Sequence, residues 1–180
     1  MRYVARPTAL APLPREASIS RTPRVAATHW GRVTKTTGCR VSGPLPDVAC
    51  TPGNIIPGNT REVLCAPSFR TNSVRDSATS HAEKMLVYES YSIPHPPNNR
   101  GISHLDHLVS LELGGADTAA NLWHECSPGY AGWVAAGFRE KDRFENYLHR
   151  QVCSGTLPLA EAQFEIATDW FSYWVAAGRP

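Results

Sequence analysis

The stretch from His104 to Glu125 constrains the fold of this chain most, because it holds two apolar segments separated by a Gly-Gly pair. The first segment, residues 104–113, is rich in leucine and β-like. The glycines favour a turn, and residues 121–124 predict a short returning strand. We therefore expect a small strand pair here, with the remaining chain arranged around it.

Two helices are predicted after this pair. Residues 139–153 place Phe144, Leu148 and Val152 four apart, which indicates one buried stripe. A last helix is expected to begin near Pro158, since proline suits a first helical turn. Its apolar residues have the same spacing: Ala162, Ile166, Trp170 and Trp174. The chain is therefore expected to be α+β.

The region before the strand pair gives weaker patterns. Residues 61–75 suggest short extended pieces broken by Pro67. Residues 75–91 predict a helix, whose expected buried side consists of Ala82, Met85, Leu86 and Tyr88.

Length and composition suit one folded domain. The chain has 180 residues, of which 42% are hydrophobic, enough for a core. It has no run of about 18 apolar residues, so no membrane span is expected. Its first residues lack the continuous apolar segment of a secretory signal. The protein is therefore expected to be cytoplasmic, unless an export segment is missing from this chain.

Positive charge is concentrated at the beginning of the chain. Residues 1–40 hold eight Arg or Lys and one acid, whereas the remainder holds ten basic and fifteen acidic residues. Eight of the fifteen prolines come before residue 58. We expect a basic, flexible leader over residues 1–45 and a folded domain over residues 46–180. The leader can contact a polyanion or serve only to keep the protein soluble.

The five cysteines form no CxxC motif, which argues against a zinc ribbon. At most two disulfides can form, and the sequence does not pair them. In a reducing cytosol all five would be small apolar fillers. They are Cys39, Cys50, Cys65, Cys126 and Cys153.

The adjacent residues Asp106 and His107 carry the candidate chemistry. Hydrolysis of a phosphodiester needs a base for water and a cation for the growing negative charge. A carboxylate suits a hard ion such as Mg²⁺, and an imidazole titrates near neutrality and suits the base. Neighbouring side chains on a strand point to opposite faces, but a bend at the strand end can aim both into one site.

The stretch DHLVSLELGGADTAANLW resembles the core of HNH, or ββα-metal, nucleases. Their pattern is an Asp-His pair on a first strand, a loop with Gly-Gly, a central Asn, and a polar residue on the next helix. The likeness runs from Pro52 to Trp170, through LCAPSFRTNSVRD, KMLVYESYSI, EKDRFENYLHRQVCSG and LPLAEAQFEIATDW, which are similar to a bacterial and phage HNH-like group. It implies a ββα-metal core over about residues 102–153, with additional helices.

The resemblance also implies roles for individual residues. Asp106 would be a metal ligand and His107 the general base. Asn121 would tie down the loop and orient His107. The helix would supply a second ligand, for which Asp142 is the first choice and Glu140 and Glu145 are alternatives. Lys141 would contact the scissile phosphate.

The chain departs from the family pattern in several places. The position nine residues after Asn121, often a ligand, is Tyr130, which is not a plausible one. The group has proline where this chain has Ser110 and His124, so His124 is either an extra ligand or a tolerated loop residue. Cys65 and Cys153 match the two cysteines of the pattern, which implies that they lie close together and can pair in an oxidising compartment.

The expected function is a metal-dependent endonuclease that hydrolyses DNA with low sequence specificity. Mg²⁺ is the expected ion, with Mn²⁺ or Zn²⁺ as alternatives. Arg143 and Arg150 share a helix with Lys141 and can track a phosphate backbone, or form an ordinary solvated face. Trp123 is expected to lie in the core rather than stack on a base.

Two other functions stay open. An HNH-like scaffold without catalysis can bind nucleic acid or another protein, for instance as a phage-encoded inhibitor of a host system. The five cysteines alternatively suggest a secreted, toxin-type nuclease.

Overall fold

The structure is a computed structural model that describes residues 30–75, 77–93, 103–126 and 136–180. Most of the predicted leader (residues 1–29) and the Tyr130 position lie outside these residues. Four helices and a two-stranded sheet make the described part α+β, as expected. They are α1 (Arg61–Leu64), α2 (Ser77–Ser90), β1 (Ser103–His107), β2 (Leu122–Cys126), α3 (Phe138–Ser154) and α4 (Leu159–Ala176).

The two strands pair antiparallel, with Ser103 opposite Cys126 and His107 opposite Leu122. The predicted first strand is too long, because β1 ends at His107 and Leu111–Leu113 form a 3-10 turn. At the strand end the Asn121 side chain takes over the pairing, since its Oδ1 accepts from the Val109 N–H at 2.9 Å. The returning strand is confirmed within two residues.

The two long helices confirm the periodic pattern. α3 and α4 supply most of the buried cluster, and both predicted stripes lie in it. α4 begins directly after Pro158, which is its N-cap. The four-residue spacing is a local property of the sequence, so it predicted these faces correctly.

The prediction for α2 located the helix but mistook its packed side. Val87 is the buried apolar residue, whereas Ala82 is exposed and Leu86 is 53% exposed. The face with Glu83 and Val87 meets β2 and residues 119–121, where the Glu83 carboxylate accepts from the Ala119 N–H. The helix therefore contacts the strand pair through both an apolar and a polar residue.

The extended pieces predicted between residues 61 and 75 are wrong. Thr60 caps α1 through its Oγ1, which accepts from the Val63 N–H at 3.4 Å. Thr71–Ser73 form a 3-10 turn. The cap satisfies a donor that would otherwise be left open at the helix start, and so stabilises a very short helix.

The packed region begins before the predicted domain boundary at residue 45. The Gly31 N–H donates to the Gly53 carbonyl at 2.8 Å. Farther along, the Trp170 indole N–H donates to the Pro44 carbonyl at 2.7 Å. Trp30 also packs against the core. Residues 30–45 are therefore part of the folded unit.

Two disulfides cross-link the described chain. Cys39 pairs with Cys50, and Cys65 at the end of α1 pairs with Cys153 in α3. Cys126 has a free thiol. Four of the five cysteines are thus cross-links rather than the apolar fillers expected of a reducing compartment. Among the described helices, none has the length and apolar character needed to cross a membrane.

The Gly-Gly turn gives a test of the fold. A Cβ at Gly115 would lie 1.9 Å from the Val109 carbonyl oxygen and 2.9 Å from the Asn121 amide nitrogen. We expect Gly115→Ala to lower the free energy of unfolding by roughly 3 kcal/mol, because the overlap is with backbone. Urea denaturation followed by circular dichroism would measure the loss.

Gly58→Ala is the matched control. Gly58 has φ +84°, and a Cβ added there would meet no other atom of the described residues within 4 Å, so the change costs only backbone strain. That strain is about 1 kcal/mol. Equal losses of unfolding free energy in the two variants would show that the turn at Gly115 has room for a Cβ.

Candidate active site

An acidic cavity of about 300 Å³ lies where the end of β1 meets the beginning of α3. Its wall contains the predicted residues Asp106, His107 and Asp142 together with Glu112, Glu145 and Arg75. Asp106 and His107 are adjacent in sequence, yet both reach the cavity because the strand ends there. The predicted metal ligands and base therefore share one space.

His107 is held by a carboxylate, Asp117, that no sequence pattern indicated. Its Nε2 lies 2.9 Å from Asp117 Oδ1. Burial lowers the pKa of His107, and the opposing effect of Asp117 and Asp106 does not restore it to its ordinary value. The imidazole is therefore neutral at pH 7. With the Nε2 proton donated to Asp117, Nδ1 is left as the proton acceptor.

Asn121 ties the loop between the strands to itself. Its Nδ2 donates to the carbonyls of Val109 and Ala116, each at 2.9 Å. Its Oδ1 accepts from the N–H groups of Val109 and Asn54. The side chain is fully buried and does not reach the cavity. Asn121 thus holds the loop that carries Asp117.

Lys141 does not have the position expected of a phosphate ligand. Its side chain is fully buried, and its Nζ donates to the His107 carbonyl at 2.6 Å and to Asp106 Oδ2 at 3.1 Å. It also donates to the Glu145 carboxylate, and Glu125 Oε2 lies 4.0 Å away. The expected contact with a phosphate is wrong, since the ammonium neutralises carboxylates inside the protein.

The charge of Lys141 is fixed by these neighbours. Burial alone would lower the pKa of Lys141, but the carboxylates of Asp106, Glu145 and Glu125 outweigh it and raise the pKa above its usual range. Burial likewise would raise the pKa of Asp106, but the Lys141 ammonium holds it below its ordinary value. Asp106 and Lys141 are therefore both ionised at neutral pH.

At the other carboxyl groups burial outweighs the effect of the Lys141 ammonium on the pKa. Burial raises the pKa of Glu145 to about 8, with a further contribution from Asp106. Burial also raises the pKa of Asp142, with a further contribution from Asp106. It raises the pKa of Glu112 as well, against the opposing effect of His149 and Arg150. Burial raises the pKa of Glu125 well above its ordinary value, so this group is neutral. The cavity holds more carboxyl groups than one ammonium can neutralise.

The donor set of the cavity fits a hard divalent cation. Carboxylate oxygens are the ligands preferred by Mg²⁺ and Mn²⁺, and a nearby cation would lower these raised pKa values because it favours the ionised carboxylates. In the described residues, however, only Cys65, His149 and Cys153 bring three ligand atoms within 4.8 Å of one another. The acidic groups surround the cavity at wider spacing.

The alternative ligand Glu140 is occupied elsewhere. Its carboxylate accepts from the Gly137 N–H at 3.0 Å and so caps α3. It also pairs with Arg143 at 3.1 Å. Glu145, the other alternative, does line the cavity.

The remaining candidates lie as follows. Trp123 is a core residue, as expected. His124 is a buried residue of β2 rather than a loop residue, and burial lowers its pKa. Arg143 and Arg150 are exposed on α3, which suits a phosphate contact and a solvated face equally. Arg75 is exposed at the cavity.

Comparisons with protein-family models, with curated proteins and with solved structures gave no match to this chain.

The buried ammonium gives a test of the site. We expect Lys141→Met to lower the free energy of unfolding by about 3 kcal/mol, because it leaves buried carboxylates without a countercharge. The deficit relative to wild type is largest above the Glu145 pKa of about 8. It shrinks as pH falls, since the carboxyl groups become neutral. Urea denaturation at several pH values from about 5 to about 9 would measure this deficit in unfolding free energy.

Arg143→Met on the same helix is the control, since Arg143 is exposed and paired only at the surface. This variant should unfold like wild type at each pH. A deficit for Lys141→Met that stays constant over the whole range would contradict the described charge network.

Proposed function

We propose that this protein is a metal-dependent endonuclease that hydrolyses DNA with low sequence specificity. The observation that supports this function best is a neutral His107, held by Asp117, at the wall of an acidic cavity. A neutral imidazole can accept a proton from water, and an excess of carboxyl groups can retain a divalent cation.

His107 is the general base in this proposal. Its Nδ1 takes a proton from the attacking water, while the Nε2–H bond to Asp117 fixes the ring and stabilises the imidazolium that forms. Asn121 acts through the loop that carries Asp117. Lys141 keeps Asp106 ionised and joins it to α3.

Asp106 and Asp142 would hold the cation, directly or through water, and Glu145 is a third candidate ligand. Mg²⁺ suits these oxygen ligands best, and Mn²⁺ or Zn²⁺ can replace it. When bound, the cation supplies stabilisation for negative charge on the phosphate and the leaving oxygen.

The order β1, β2, α3, with the cavity at the end of β1 and the start of α3, supports a ββα-metal core of the HNH type. This membership is part of the proposal. The pattern DHLVSLELGGADTAANLW supports it from the sequence side.

DNA is the proposed partner because the exposed Arg75 lines the acidic cavity, and Arg143 and Arg150 are exposed on the helix that forms part of its wall. They would contact backbone phosphates, which carry no sequence information. This is why low specificity is proposed. Lys141 is excluded from this set by its burial.

The two disulfides favour an oxidising compartment over the expected cytoplasm. We therefore include in the proposal that the enzyme works outside the reducing cytosol. This location agrees with the secreted, toxin-type nuclease that the five cysteines suggested.

One observation favours the alternative, a scaffold without catalysis. The Lys141 ammonium already lies 3.1 Å from Asp106 and also binds Glu145. A resident cation of this kind competes with a metal for the same carboxylates. The protein would then bind nucleic acid or another protein without cleaving it.

Plasmid nicking tests the two functions. With Mg²⁺ or Mn²⁺ we expect the full chain to convert supercoiled DNA to nicked circles, and EDTA to abolish cleavage. His107→Ala should lower the rate by roughly 100-fold or more, because it removes the base. His104→Ala is the matched control, since His104 is an exposed residue of the same strand.

Equal cleavage by wild type and His107→Ala would remove His107 from the mechanism. Absence of cleavage by wild type, with DNA retarded in a gel at low salt, would favour the binding scaffold. Cleavage that is unaffected by EDTA would contradict the role of a divalent cation.

The Asp117 contact predicts a shift in the pH profile. Asp117 raises the pKa of His107 against the effect of burial, so Asp117→Asn should lower that pKa further. The acidic limb of the kcat profile would move to lower pH, and the plateau would fall by roughly tenfold or more as orientation is lost. Measuring nicking rates over pH checks both effects.

A plateau that falls with no movement of the acidic limb would show that Asp117 supports only the loop. Glu112→Gln is a control from the same cavity wall, because Glu112 has no direct contact with the imidazole.

A further inference from the structure

A second cluster of metal-binding groups lies farther along α3, away from the acidic cavity. The ligand atoms of Cys65, His149 and Cys153 are all within 4.8 Å of one another. His149 Nε2 lies 3.4 Å from Cys153 Sγ. In the structure Cys65 and Cys153 form a disulfide.

The helix spacing explains this convergence. His149 and Cys153 are four apart in α3, so both lie on one face. Cys65 is the C-cap of α1 and meets this face, with its Cα 5.5 Å from that of Cys153. Many zinc sites use two ligands four residues apart on one helix and a third ligand from another segment.

The frame around the cluster does not depend on the disulfide alone. Arg61 donates to the Cys153 carbonyl at 2.8 Å and so joins α1 to the end of α3. Each candidate ligand directly follows a buried residue in the sequence, namely Leu64, Leu148 or Val152. The two sulfurs would therefore remain neighbours after the bond between them is opened.

We propose that reduction of the Cys65–Cys153 disulfide converts this cluster into a zinc site. A dithiol reductant gives two electrons and two protons to the bridge and becomes a cyclic disulfide itself, which leaves two protein thiols. Zn²⁺ then binds both sulfurs and His149 Nε2, and the two thiol protons go to solvent. One water completes a tetrahedral set.

The geometry allows this change with small movements. Zn–S bonds of about 2.3 Å place two sulfurs roughly 3.8 Å apart in a tetrahedron. Rotation of the two side chains can reach that spacing from the described Cα positions. His149 Nε2 also lies 3.4 Å from the Leu64 carbonyl, so binding exchanges a long hydrogen bond for a coordination bond.

The ligand chemistry selects the ion. Two thiolates and an imidazole suit Zn²⁺, whereas the carboxylates of the acidic cavity suit Mg²⁺. The charge of the ion is neutralised by the two thiolates. All three side chains are partly exposed, which gives reductant and ion access. Disulfide and zinc would thus be alternative cross-links between α1 and α3.

Cobalt provides a direct probe of the reduced site. The full chain is reduced with a dithiol, the reductant is removed under argon, and Co²⁺ is added. We expect one equivalent of Co²⁺ to give a thiolate charge-transfer band and the intense visible bands of a tetrahedral complex. Zn²⁺ should displace it, and the oxidised protein should show neither band.

Variants locate the site. Cys153→Ser should lose the charge-transfer intensity of the site, while Cys50→Ser, the matched change in the other disulfide, should keep it. His149→Gln retains both thiols and should weaken Co²⁺ binding by more than the roughly tenfold typical of outer-shell groups. Circular dichroism of each reduced variant shows whether it is folded.

The proposal is overturned if folded, reduced wild type gives no charge-transfer band with Co²⁺. It is also overturned if Cys153→Ser and Cys50→Ser behave alike, or if His149→Gln binds as tightly as wild type. These outcomes are independent of nuclease activity, because none of the variants alters Asp106 or His107 and the nicking assay uses oxidised protein.

Discussion

The buried ammonium of Lys141 is the interaction on which the rest of the site depends. It joins the first turns of α3 to the end of β1 through the His107 carbonyl and the Asp106 carboxylate. Because an unpaired buried charge is costly, this contact fixes the position of the helix relative to the strand. It also keeps Asp106 ionised in a setting where burial alone would favour the neutral acid. One side chain therefore sets both the geometry and the charge of the cavity.

The loop between the strands supplies the second constraint. Asn121 uses its amide to bind backbone on both sides of that loop, so the loop does not need a regular strand partner. Asp117 is carried on it and reaches His107. A change at the base of the loop, such as a Cβ at Gly115, would thus be transmitted to the imidazole without touching the cavity. Asn121 therefore holds the loop, whereas other residues line the cavity.

Helix α3 connects the two candidate sites. Its beginning carries Asp142 and Glu145 at the acidic cavity, and its end carries His149 and Cys153 at the sulfur cluster. The two sites differ in ligand chemistry, with oxygen donors at one end and sulfur and nitrogen donors at the other. The disulfide joins the second site to α1, and the segment after α1 supplies Arg75 to the wall of the first. Covalent and electrostatic contacts therefore support the same helix from opposite ends.

Local patterns in the sequence determined the two long helices and their buried faces, because four-residue spacing of apolar side chains is itself the cause of those faces. They also determined the returning strand, whereas β1 ends at His107 and not at Leu113 as its apolar pattern predicted. Tertiary structure alone decided the burial of Lys141, the contact of Asp117 with His107, the cysteine pairing and the docking of residues 30–45. Each of these depends on groups brought together from separate segments, and no periodicity within one segment encodes such a meeting.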